Sequence, residues 1–156
     1  MRLLFKQRIF SWFDSYDIYN EAGETMFTVE GQLSWGHRLE VYDRAGRHVG
    51  TLEEKVFRFL PTFEMYVNGS LIGTIRKEFS LFSPSFEIDC NGWQIEGDIF
   101  ECDYSITDSR GGLVATASKE LFRLSDTYVI DIWNDADILS ALMVVLAIDA
   151  EKCSRN

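Results

Sequence analysis

The sequence predicts a mainly β protein, a closed antiparallel barrel of about twelve strands around a C-terminal hydrophobic α-helix. Three observations predict it. Residues Ile138 to Ile148 read I-L-S-A-L-M-V-V-L-A-I, broken only by Ser140. The chain before that run repeats a unit of about two dozen residues, most units closing on a glycine turn, as stacked supersecondary units do. A helix apolar around its whole circumference must be covered on every side, and a flat sheet covers only one.

The elements follow in order. The segment from Leu3 to Phe10 reads as a leading strand. Units then open near Tyr16, Leu39, Phe63, Phe86, Tyr104 and Tyr128, mostly 23 or 24 residues apart. Five of them contain a hairpin signal: Asn20 to Gly23, Asp43 to Gly46, Asn68-Gly69, Asn91-Gly92 and Asp108 to Gly112. In each, Asn or Asp starts a turn and Gly supplies the positive φ it needs. Five hairpins give ten strands, and the leading segment and the one from Tyr128 to Trp133 make twelve. Alternation assigns faces. Phe86, Ile88 and Cys90 share one face, with Glu87 and Asp89 on the other; Leu39 and Val41 alternate with Glu40 and Tyr42.

The sixth unit has no turn. Asn134-Asp135-Ala136-Asp137 stands where the turn would come, and it reads as a helix start: Asn134 caps, and the aspartates favour the positive end of the dipole. The apolar run spans only ~16 Å as a helix, about half of a ~30 Å hydrocarbon core. It therefore reads as the barrel's core and not as a transmembrane span.

With 156 residues, 14% aromatic, and only two prolines (Pro61 and Pro84), residues 1–156 read as one domain. A net charge of −10 excludes nucleic acid as a general partner and opposes attraction to anionic membranes. Cys90, Cys102 and Cys153 form no CxxC pair and read as free thiols of a reducing compartment. The first residues lack a signal-peptide core. The expected location is cytoplasmic, with peripheral contact as the compatible form of membrane association.

Repeated Lys/Arg-x-Phe-Ser-like units begin at Arg8, Lys77 and Lys119. The segment from Ser118 through Tyr128 closes the β pattern, and Asp135-Ala136-Asp137 leads into the apolar helix and Ile148-Asp149. In their order and spacing these features resemble the LURP-one-related family, and in particular its short bacterial members. That family sits in the tubby-like superfamily, which includes phospholipid scramblases. The resemblance covers essentially the whole chain. It implies a twelve-stranded barrel around a C-terminal helix, and it says more about shape than activity.

No enzyme is expected. The two histidines, His37 and His48, sit near turns, and no P-loop, Gly-x-Ser-x-Gly or His-Glu-x-x-His motif occurs. No cofactor is expected. Asp131, Asp135 and Asp137 are the calcium candidates, at a place similar to a segment proposed to bind calcium in scramblases, but capping is the stronger use of such a short loop. Phosphoinositide or anionic-lipid binding, as in tubby proteins, needs convergent cations. Arg8, Lys55, Arg58, Lys77, Lys119 and Arg123 hold comparable places in their units and are the candidates; solubilising charge is the competing use. Scramblase-like activity would require the helix to leave the barrel. With the interior filled, the expected function is non-catalytic binding of a protein partner or membrane surface, outside the barrel or at its rims. Phe10 to Phe13 and Trp35 are candidate contact aromatics.

Overall fold

The computed structural model describes residues 1–6, 15–34, 36–56, 59–81, 85–122 and 125–153. Among the described residues, twelve strands precede one helix. They are β1 (Arg2–Lys6), β2 (Ser15–Tyr19), β3 (Thr25–Ser34), β4 (Gly36–Asp43), β5 (His48–Glu54) and β6 (Thr62–Val67). There follow β7 (Ser70–Glu78), β8 (Ser85–Asp89), β9 (Gln94–Asp98), β10 (Asp103–Thr107), β11 (Leu113–Phe122) and β12 (Ser125–Ile132). A 3₁₀ turn, Asp135–Asp137, leads into α1 (Ile138–Cys153).

All strands join one sheet in the order β8-β7-β6-β5-β4-β3-β2-β1-β12-β11-β10-β9. Neighbours are antiparallel throughout. β1 pairs with β12, matching Leu3 to Ile130 and Phe5 to Tyr128. The barrel is nearly closed. Its one seam lies between β8 and β9, which no backbone ladder joins among the described residues.

The turns form where Asn, Asp and Gly predict them. Three are built alike. Asn20 Oδ1 accepts from the amides of Ala22 and Glu24, at 3.0 and 2.9 Å. Asp43 Oδ1 does the same for Ala45 and Arg47, at 2.9 and 3.0 Å, and Asp108 Oδ1 for Arg110 and Gly112, at 2.9 and 2.8 Å. The glycine three residues after each has φ of 76–78°. Asn68-Gly69 and Asn91-Gly92 both have two positive φ values, the two-residue hairpin geometry. The Asn91-Gly92 turn nevertheless does not zip its strands together. Glu87 and Asp89 lie on the β8 side of the seam and Glu96 and Asp98 on the β9 side.

Inward faces are apolar: Leu3 and Phe5, Ile18, Val29, Leu39 and Val41, Leu52, Phe63 and Met65, Ile75, Phe86 and Ile88, Tyr104 and Ile106. The helix is buried on all sides over residues 141–151. Gly50 gives it room: a Cβ there would lie 3.1 Å from Met143 Sδ. The Asn134 cap is confirmed, with its Oδ1 accepting from the Ala136 amide at 3.0 Å. The helix runs five residues past the apolar stretch, to Cys153. Asp149 and Glu151 are buried there, so polar residues did not end it. Among the described residues, no helix is long and apolar enough to cross a membrane.

Because the sheet alternates direction, odd-numbered strands all end at one mouth of the barrel. The helix enters at the other mouth, after β12, and finishes at the first. We call these the exit mouth and the entry mouth.

Candidate functional site

The sequence candidates are best located by following the strands to the exit mouth. Lys77 lies near the end of β7 on the inward face, two residues after buried Ile75. It is 7% exposed, and its ammonium meets Glu151 of the helix at 2.6 Å. His37 and Glu54 share this layer. The His37 amide donates to Glu54 Oε2 at 3.1 Å, and its ring lies 3.6 Å from the same oxygen. Burial lowers the His37 pKa, opposed by Glu54 and Glu151. Lys119 reaches the same mouth on β11 opposite Tyr128, and it is exposed. Lys55 stands on the outer wall, 3.3 Å from Glu53 and 3.6 Å from Glu64. Burial disfavours its charge, but these carboxylates outweigh that and raise its pKa. Lys55, Lys77 and Lys119 thus share one mouth, with Lys55 paired to Glu53 and Glu64 and Lys77 turned onto Glu151. Arg8, Arg58 and Arg123 lie outside the described residues, as do Phe10 to Phe13 and Trp35.

The calcium candidates lie at the entry mouth. Both carboxylate oxygens of Asp131 are taken by Arg2, at 2.7 and 3.0 Å. Asp135 and Asp137 belong to the 3₁₀ turn that Asn134 caps. No three His, Cys, Asp or Glu side chains converge as a metal site among the described residues.

One polar cluster was not anticipated. Alternation puts Glu40 on the outer side, yet it is only 5% exposed. Thr51 Oγ1 donates to its Oε2 at 2.6 Å, Arg38 Nε to its Oε1 at 2.6 Å, and His48 Nε2 lies 2.5 Å from Oε2. Burial raises the Glu40 pKa, but these three hydrogen bonds more than reverse it, so the carboxyl sits below its ordinary value. A catalytic relay needs a base facing the acid with one nitrogen and the nucleophile with the other. Here the same His48 nitrogen faces both Glu40 and Thr51, 3.1 Å away. The arrangement satisfies a buried carboxylate. The Cys90 thiol is likewise buried, and burial pushes its pKa up, away from thiolate chemistry.

A concavity lies on the outer wall over β6, β7 and β8, toward the exit mouth. It measures about 610 Å³. Thr74, Arg76, Glu78, Glu87 and Asp89 form its floor, and Phe59 and Phe79 border it. Phe59 is 94% exposed and Phe79 is 74% exposed. Arg76 is ion-paired with Glu87 across the strand pair. Nothing in the sequence marked this groove, because it draws on three separated segments. The one available signal was Phe59 and Phe79, each beside a Pro- or Ser-containing break.

With this architecture in view, likeness to known proteins is decisive for the family. Residues 1–149 match the sequence profile of the LURP-one-related family. The chain belongs to that family. Uncharacterized protein YxjI of Bacillus subtilis is 27% identical over 150 residues, which cover 96% of this LURP-one-related chain and 92% of YxjI. The X-ray structure of an Arabidopsis thaliana protein shares the fold, with a TM-score of 0.62 at 16% identity, covering 95% of this chain and 91% of that one.

Proposed function

We propose that this LURP-one-related chain is a non-catalytic binding module whose protein partner docks in the groove between Phe59 and Phe79. The observation that carries this reading is the exposure of those two rings beside a concave surface. A phenylalanine 94% in water contributes nothing to the core and is costly to leave bare. Interfaces place such aromatics at their centre and bury them on binding. The interior offers no alternative, since the helix fills it.

Lipid headgroup binding has less support. The Lys77 ammonium is turned inward onto Glu151, Lys55 is held by two carboxylates, and the chain carries a net charge of −10. Catalysis also has less support, because the Glu40 cluster lacks relay geometry.

Photo-crosslinking from position 59 in cells, followed by titration of the recombinant crosslinked protein, tests the proposal. Phe59→Ala with Phe79→Ala should weaken binding about tenfold or more while leaving the melting temperature unchanged. Undiminished binding by the double variant would overturn it. Flotation with anionic vesicles as the only detectable association would transfer the function to lipid.

A further inference from the structure

The groove floor also restricts what kind of segment fits, an inference that rests on the reading just given. Three carboxylates and one guanidinium lie along it: Glu78, Glu87, Asp89 and Arg76. Arg76 and Glu87 neutralise one another. Glu78 accepts a hydrogen bond from Ser85 Oγ at 2.9 Å, which leaves its charge in place. Neither Glu78 nor Asp89 has an ion-pair partner among the described residues. Among the described residues the groove therefore presents two negative charges without an ion-pair partner, separated by a neutral pair.

Their spacing follows from the register. Asp89 is opposite Thr74, four residues along β7 from Glu78. At strand rise that is roughly 13 Å along the groove. In an extended chain, residues four apart span that distance and lie on the same side. In a helix the same distance takes about nine residues, which places the two side chains on opposite faces. A second copy of this acidic chain is electrostatically mismatched to the groove.

We propose that the groove takes an extended segment of a protein partner, with two lysine or arginine residues four positions apart that meet Glu78 and Asp89. An apolar side chain of that segment, or the stems of its basic residues, would lie against Phe59 and Phe79.

The probe is a synthetic octapeptide with lysines at its second and sixth positions, leucine at the fourth and serine elsewhere. Nuclear magnetic resonance titration at low salt should shift amides in residues 74–78 and 85–89. A peptide with glutamates in place of the lysines should bind at least about tenfold more weakly, as should one with the two lysines adjacent. Glu78→Gln with Asp89→Asn should cost a similar factor, and raising the salt should weaken binding. Equal binding of the adjacent-lysine peptide, or indifference to the charge-removing pair, overturns the inference. The two readings fail separately. A crosslinked partner that ignores Glu78→Gln and Asp89→Asn but needs Phe59 and Phe79 removes only the charge rule. One that ignores the phenylalanines removes the docking site itself.

Discussion

Lys77, on the inner face of β7, meets Glu151 near the end of the axial helix at 2.6 Å, and both side chains are buried. The pair ties the barrel wall to its core at the exit mouth. Removing one partner deprives a buried charge of this ion pair. Lys77→Met alone, or Glu151→Gln alone, should cost about 3–5 kcal/mol, whereas Lys77→Met with Glu151→Leu should cost much less than their sum. A double-mutant cycle by urea denaturation measures this. Additive costs would mean the two groups do not act as a pair.

The Glu40 network makes stability depend on pH. Its carboxyl titrates below its ordinary value in the folded protein. A depressed folded pKa contributes stability that is present above the unfolded pKa and lost as pH falls through the folded one. Chemical denaturation from about pH 6 down to about pH 3 should show wild-type stability falling more steeply than that of Glu40→Gln. Parallel curves would show that the three hydrogen bonds do not favour the ionised form.

Gly50 and Met143 should be energetically coupled. A β-carbon at Gly50 would meet Met143 Sδ at 3.1 Å and the Tyr66 carbonyl at 3.3 Å. Gly50→Ala should cost about 1–3 kcal/mol through overpacking. In a Met143→Ala background, where a cavity awaits the methyl group, the same change should cost less or turn favourable. An unchanged cost in that background would place the strain elsewhere, at the Tyr66 carbonyl.

The helix should be indispensable. Leu142, Met143, Val144, Val145, Leu146 and Ile148 are at most 1% exposed. Their burial contributes on the order of 10 kcal/mol, comparable to the whole stability of a typical domain. A chain ending at Asn134 should therefore lack a native-like near-ultraviolet circular dichroism signal. A folded, soluble truncated barrel would contradict the core assignment.

Much of this fold was legible in local chemistry. Asn20, Asp43 and Asp108 start their turns with the hydrogen bonds their side chains favour, and each is followed by a glycine in the left-handed region. Asn134 announced the helix. What stayed hidden depends on partners distant in sequence. Lys77 reads as a solubilising or headgroup-binding cation until Glu151, 74 residues later, is seen against it. Glu40 reads as a surface carboxylate because alternation reports a face and not the cover that Arg38, His48 and Thr51 give that face. Phe59 and Phe79 belong to repeated phenylalanine-containing units, and their exposure shows only in the assembled wall.

The pairing of β1 with β12 has a consequence for how the molecule is made. Leu3 is opposite Ile130, so β1 leaves the ribosome long before the strand that it pairs with. At ordinary synthesis rates of 5–20 residues per second, that delay is on the order of ten seconds. Through it Leu3 and Phe5 have no strand partner on the β12 side, and the helix that fills the barrel is later still. Because that helix supplies the barrel's interior, a sheet that closed before it arrived would enclose no core. The sheet must curl around its own last segment like a hand closing, with the unlatched edges of β8 and β9 as the fingertips.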